Sequence, residues 1–148
     1  MQRNTLGFVA VLLALAAVPA VSATQDYLAG SWRAVFYLPI GPNGIGGTAR
    51  CTDDRVMTQS GTYSSFITCP RARTAQWGRY TIFPGHRIGF KVTNWEPKTH
   101  YVPDAGGGHS EDYPQPSGGM VEYRFTSPDT LVTHDINAGV TWTYQRLR

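Results

Sequence analysis

The chain has 148 residues, with 13 Lys and Arg against 10 Asp and Glu and a net charge of +3. So small an excess excludes a partner held by bulk charge, and the one local basic cluster, Arg71 and Arg73, lacks the aromatic interleaving of a nucleic-acid surface. No nucleic-acid partner is expected.

The first 23 residues read as a cleavable export signal. Arg3 supplies the positive start, Leu6 to Val18 is almost uninterruptedly apolar, and Val21-Ser22-Ala23 offers the small residues a signal peptidase needs. The apolar stretch is shorter than the roughly 20 residues of a membrane span, and no later segment approaches one. A lipid anchor requires a Cys just after the signal, whereas the first is Cys51. The expected product is therefore an exported, soluble protein, periplasmic or secreted, with no transmembrane segment and with residues 24–148 forming one domain.

From Gly30 onward the pattern is that of strands. Trp32, Ala34, Phe36 and Leu38 alternate with Ser31, Arg33, Val35 and Tyr37, which is the period-two signature of a half-buried strand. Gly41-Pro42-Asn43-Gly44-Ile45-Gly46-Gly47 then reads as a loop, and Thr48 to Thr58 as a second strand. Gln59-Ser60-Gly61 has the form of a three-residue hairpin turn with Gly61 in the left-handed region. Pairing the strands about Ser60 places Cys51 opposite Cys69. In an oxidising compartment this predicts a disulfide between them, and neither cysteine has a second ligand at metal spacing.

Tyr63 to Cys69, Trp77 to Phe83 and Arg87 to Trp95 are rich in aromatic and β-branched residues and continue the series. Residues 98–119 interrupt it. Pro103, Pro114, Pro116 and five glycines forbid regular structure through most of this segment, and connections of that length are usually lids, binding loops or solvated segments. Val121 to Phe125, Thr130 to Asp135 and Val140 to Arg146 complete the count, separated by the Ser127-Pro128-Asp129 and Asn137-Ala138-Gly139 turns. No mature segment sustains a helical apolar period. The prediction is an all-β fold of about eight antiparallel strands in simple succession, closed into an up-and-down barrel because closure removes exposed edges. A barrel of eight strands is either filled by its own side chains or holds one small ligand.

Leu28-Ala29-Gly30-Ser31-Trp32 resembles the Gly-x-Trp first strand of the calycins, the lipocalin, fatty-acid-binding and avidin-like barrels. The resemblance implies a basic residue from the last strand lying over the Trp, and Arg146 is the matching position, with Arg148 second. Trp32 and Arg146 are thus expected to form a structural pair closing one barrel end. Gly78-Arg79-Tyr80 and Val92-Thr93-Asn94-Trp95-Glu96-Pro97-Lys98 are similar to segments of small exported bacterial lipocalin-like proteins. Ile88 to Trp95 and Tyr144 to Leu147 are similar to avidin strands. The polar ring that recognises biotin has no counterpart, because Val35, Phe36, Leu38 and Pro39 follow Trp32.

Chemistry-bearing residues are sparse. His100, Asp104, His109, Glu111 and Asp112 share residues 98–119, but the intervening glycines are too free to hold ligands at fixed distances, so no metal site and no cofactor is expected. His134 and Asp135 occupy opposite faces of one strand and do not pair as base and orienter. Ser64 and Ser65 lie outside any Gly-x-Ser-x-Gly elbow. Glu96 and Lys98 flank Pro97 at a strand end, where they can pair. With no catalytic residues assigned, the expectation is a non-catalytic barrel binding a small apolar or aromatic ligand, with Trp77, Trp95, Tyr101, Tyr113 and Trp142 as the candidate binding residues. The alternatives are a protein partner engaged through surface loops, and a barrel enzyme of unknown reaction. Ser60-Gly61-Thr62-Tyr63 resembles the Ser-Gly loop of exported lysozyme inhibitors. A catalytic barrel would need Glu122, Arg124, Thr133 and Thr141 to point inward.

Overall fold

Thr58 and Thr62 bracket a three-residue turn that sets the register of the first hairpin after β1. A computed structural model of the protein describes residues 27–40, 46–102 and 105–148. In it Gly61 has φ +79°, and its N–H donates to Thr58 O at 3.1 Å while Thr58 N–H donates to Thr62 O at 2.9 Å. The three-residue turn therefore forms about Ser60, with glycine at the position where a Cβ would be strained. Strand β2 (Thr48–Met57) pairs with β3 (Thr62–Cys69), Thr52 facing Thr68, which brings the next residues out into a disulfide between Cys51 and Cys69. The export signal assigned to residues 1–23 lies outside the described residues, as do residues 41–45 of the first loop.

Eight strands close into an antiparallel barrel. β1 (Gly30–Pro39), β2, β3, β4 (Ala72–Phe83), β5 (Arg87–Glu96), β8 (Gly119–Ser127), β9 (Thr130–Asp135) and β10 (Val140–Leu147) follow one another around it, and β10 returns to β1 with Trp32 beside Arg146. β4 starts five residues before the strand expected at Trp77, because Cys69 pairs directly with Ala72 across a two-residue turn. A bulge between Trp77 and Gly78 skips Thr93 on β5. At Gly78 the partner strand approaches so closely that a Cβ would stand 2.0 Å from Lys91 O, so only glycine fits this bend.

The 98–119 segment departs from the sequence expectation in part. It contains a small separate hairpin, β6 (Thr99–Val102) with β7 (His109–Asp112), Thr99 facing Asp112. The strands occupy the stretches between prolines and glycines: β6 ends before Pro103, and β7 runs between Gly108 and Pro114. Neither hydrogen-bonds to the barrel sheet.

The strand alternation determines what faces inward. Trp32 and Ala34 on β1, Cys51, Asp53 and Met57 on β2, and Tyr63 and Ser65 on β3 are all buried. One half of the barrel is filled by Leu28, Trp32, Met57, Tyr80, Ile88 and Leu131. Leu28 O accepts from Trp32 Nε1 at 2.9 Å, tying the chain's entry beneath the closed end. The guanidinium of Arg146 lies 4.1 Å from the Trp32 ring centre and donates to Ala29 O at 2.8 Å and Tyr27 O at 2.7 Å. Arg146 thus caps an indole face and satisfies backbone carbonyls that would otherwise be unpaired. No helix among the described residues is long and apolar enough to cross a membrane.

Candidate functional site

The other half of the barrel is not filled. A cavity of about 320 Å³ opens there, lined by Arg55 (β2), Tyr63 (β3), Gln76 (β4), Phe90 (β5), Val121 (β8), Thr133 (β9) and Trp142 and Tyr144 (β10). Contributions from seven of the eight barrel strands place it inside the barrel. A second cavity of about 210 Å³, bounded by Ser65, Ile67, Trp95 and Tyr113, shares Gln76 and Pro116 with the first. Together they form one recess running toward the mouth opposite the Trp32 and Arg146 cap. Its size lies at the small end of the usual ligand-pocket range.

The segment after the β6–β7 hairpin lies across that mouth. Tyr113 N–H donates to Lys98 O at 2.7 Å, Tyr113 O accepts from Trp95 Nε1 at 3.0 Å, and Gln115 Nε2 donates to Val92 O at 2.8 Å. Three tethers to β5 and the residues just after it hold residues 113–116 at the rim, where Pro116, Ser117 and Gly118 become part of the lining. The irregular segment is therefore fixed after the β6–β7 hairpin by one backbone bond and two side-chain bonds to backbone.

A buried polar network backs Arg55 and Tyr144 of the cavity wall. Asp53 is 3% exposed, and its carboxylate accepts three bonds: from Ser65 Oγ at 2.7 Å, from Tyr144 Oη at 2.7 Å and from Arg55 Nη2 at 2.8 Å. A buried carboxylate needs that saturation, because leaving it short of partners costs several kcal/mol. The Arg55 guanidinium also lies 4.9 Å from the Phe90 ring centre and 5.1 Å from that of Tyr144. Burial alone would disfavour its charge, but Tyr144 and Asp53 outweigh this and hold the guanidinium firmly protonated. Burial pushes the Tyr144 phenol well above the ordinary tyrosine range, with Arg55 opposing, and raises Tyr63 for the same reason. Both phenols are thus neutral donors at physiological pH.

The candidate binding residues inferred from sequence separate into distinct places. Trp142 lines the barrel cavity and packs edge-on against Phe36 at 4.6 Å. Trp95 and Tyr113 bound the outer part of the recess. Trp77 instead points outward, onto a surface groove with Phe66, Arg73 and Pro97, its ring 5.7 Å from Phe66. Tyr101 is 62% exposed on the β6–β7 hairpin, where its hydroxyl donates to Gly107 O. Trp77 belongs to the outer face because β4 alternates, and its neighbours Gln76 and Gly78 take the inward positions.

Of the polar residues weighed for catalysis, Thr133 faces the cavity, whereas Glu122, Arg124 and Thr141 are exposed on the outer surface. His134 Nδ1 bonds Thr141 Oγ1 at 3.0 Å, and Asp135 Oδ1 accepts from the N–H groups of Asn137 and Ala138 at 2.9 Å, so the two neighbours serve separate local roles. Lys98 donates to Asn94 Oδ1 at 3.0 Å and lies over the Trp95 ring rather than pairing with Glu96. His109 Nε2 bonds Glu111 at 2.8 Å on the exposed hairpin, and among the described residues no group of three or more His, Cys, Asp or Glu side chains is gathered as a metal site. Asp104 lies outside the described residues. The Ser60-Gly61-Thr62-Tyr63 stretch is a short turn whose Gly61 is buried and whose Tyr63 points into the barrel.

Asp53 and Arg55 went unremarked at the sequence level, although a signal was present. Cys51, Asp53, Arg55 and Met57 share one strand face, and an acid and a base two residues apart between inward-facing residues mark a buried ion pair. Comparison with protein-family models and with curated proteins finds no match for this chain.

Proposed function

We propose that this chain is an exported, non-catalytic barrel of the lipocalin type that binds a small molecule in its interior. The observation carrying this reading is the half-empty barrel, in which a cavity of about 320 Å³ combines Phe90, Val121 and Trp142 with the donors of Arg55 and Tyr63. Aromatic and aliphatic surface beside the polar groups of Arg55, Gln76, Thr133 and Asp135 suits a small molecule that carries both apolar and polar parts. The rim tethers of residues 113–116 support it, since they fix the segment that forms part of the cavity lining.

Native mass spectrometry of the protein from its own host's exported fraction, compared with the denatured sample, tests the proposal. A reproducible extra mass lost on denaturation is expected. A clean disulfide-bonded apo mass combined with saturable inhibition of a muramidase would overturn the reading in favour of a surface-acting inhibitor.

A further inference from the structure

The larger cavity carries a charge that nothing around it offsets. Two ionised side chains line it, Arg55 and a single carboxylate, Asp135. Arg55 is neutralised at 2.8 Å by Asp53, whose other bonds come from Ser65 and Tyr144. Asp135 forms no ion pair among the described residues. Its side-chain bonds are the two that Oδ1 accepts from the N–H groups of Asn137 and Ala138, both at 2.9 Å, which fix the carboxylate without neutralising it. Oδ2 has no partner among the described residues and stays accessible. It lies beside Gly119 of the same lining, where a Cβ would stand 4.0 Å from it. The outer part of the recess adds a second carboxylate, Glu96, and no cation. Lys98, close by in sequence, is engaged by Asn94 Oδ1 and the Trp95 ring.

Strand register decides what stands around that oxygen. Asp135 on β9 faces Val121 on β8, while Thr133, two residues earlier and on the same face, faces Trp142 on β10. Trp142 is therefore the diagonal neighbour of Asp135, at a spacing of about 7 to 8 Å that an aromatic side chain can bridge. Phe90 of β5 adds a further apolar surface. A fixed carboxylate beside an indole and an aliphatic side chain has the chemistry to hold an organic cation, by a charge-assisted hydrogen bond and by ring contact. A divalent metal ion would lack the further oxygen ligands it requires. An anion would meet negative charge with no free positive group to receive it. We propose, building on the ligand-binding reading above, that the cavity takes a small protonated amine with an aromatic or apolar body. The ammonium donates to Asp135 Oδ2, and the body rests against Val121, Trp142 and Phe90.

Three probes of similar size test this on the purified, disulfide-bonded protein at neutral pH: 2-phenylethylamine, 2-phenylethanol and phenylacetate. Binding is followed by Trp fluorescence and by the indole N–H resonance of Trp142. The amine is expected to bind about tenfold more tightly than the alcohol, the yield of one hydrogen bond to a charged group, and to shift the Trp142 signal. Phenylacetate is expected to bind most weakly. Asp135→Asn keeps a carbonyl oxygen for the Asn137 and Ala138 N–H groups, so it should fold, lose the preference for the amine and retain its affinity for the alcohol. Glu122→Gln removes a carboxylate from the outer surface and should leave the preference unchanged. Equal affinity for amine and alcohol, phenylacetate as the tightest probe, or an unaltered preference in Asp135→Asn would each overturn the proposal while leaving a ligand-binding barrel intact. No binding by any of the three would overturn it together with the cavity reading on which it rests.

Discussion

Asp53 concentrates more consequence in one side chain than any other residue of this barrel. Among the described residues it is the sole carboxylate paired with Arg55, and it also accepts from Ser65 and Tyr144. Asp53→Ala strands a buried guanidinium and two hydroxyls, so the loss should be about 3 to 5 kcal/mol, read as a lowered urea midpoint. Arg146 is the corresponding residue at the closed end. Lysine keeps its charge but cannot reproduce a fork that reaches Ala29 O and Tyr27 O while covering the Trp32 ring. Arg146→Lys is therefore expected to cost about 2 kcal/mol, with Trp32 fluorescence shifting toward that of a solvated indole. The Arg146 and Trp32 pair was legible because the Gly-x-Trp motif carries it. The Asp53 cluster was legible only in part: Asp53 and Arg55 are two apart on β2 and Ser65 lies on the adjoining strand β3, but Tyr144 joins them from β10 only on barrel closure.

Two hairpins carry predictions of different size. The β2–β3 hairpin is cross-linked by Cys51 and Cys69, 18 residues apart. Replacing both with serine should lower stability by about 3 kcal/mol in the chain-entropy description, measurable by urea unfolding of the wild type and the variant under the same oxidising conditions. The β6–β7 hairpin pairs only within itself, and its ends already meet where Tyr113 N–H reaches Lys98 O at 2.7 Å. Excising residues 99–112 and joining the ends with a two-residue turn should leave the barrel within about 1 kcal/mol of the intact protein, since a surface connection costs little to shorten. Loss of the cooperative transition would show instead that the hairpin supports the sheet. The Cys pairing was readable because a three-residue turn fixes register over the strands it joins. The short hairpin was hidden by the glycines and prolines that bound it.

At the scale of the molecule, the barrel is packed at one end and hollow at the other. That division places two raised phenols, Tyr144 and Tyr63, between the core and the cavity. An unfolded tyrosine releases its proton near pH 10, whereas burial holds these protons to higher pH in the folded state. The unfolded chain then binds fewer protons than the native one, so stability is fully present below about pH 10 and declines as pH rises above it. Urea midpoints measured from about pH 8 to about pH 11 should fall along that course. Tyr144→Phe should flatten the decline at the cost of a lower starting value, because the Asp53 carboxylate loses one of its donors. A decline of equal slope in this variant would assign the titration to other groups.

The sequence by itself determined the strand alternation, the turn at Gly61, the Cys51–Cys69 pairing and a succession of about eight barrel strands, since each depends on local period and turn chemistry within a few residues. It did not determine which aromatic side chains face the interior. Trp77 and Trp142 are alike as sequence, yet the alternation of β4 turns one outward and that of β10 turns the other into the cavity. Nor did it reveal that Tyr144 joins Asp53, Arg55 and Ser65. Tyr144 bonds Asp53 across a sequence separation of 91 residues, and such a contact exists only once the last strands have closed the barrel. The depth of packing, and hence the hollow half, was likewise decided by how side chains from all around the sheet share one interior, which no single strand encodes.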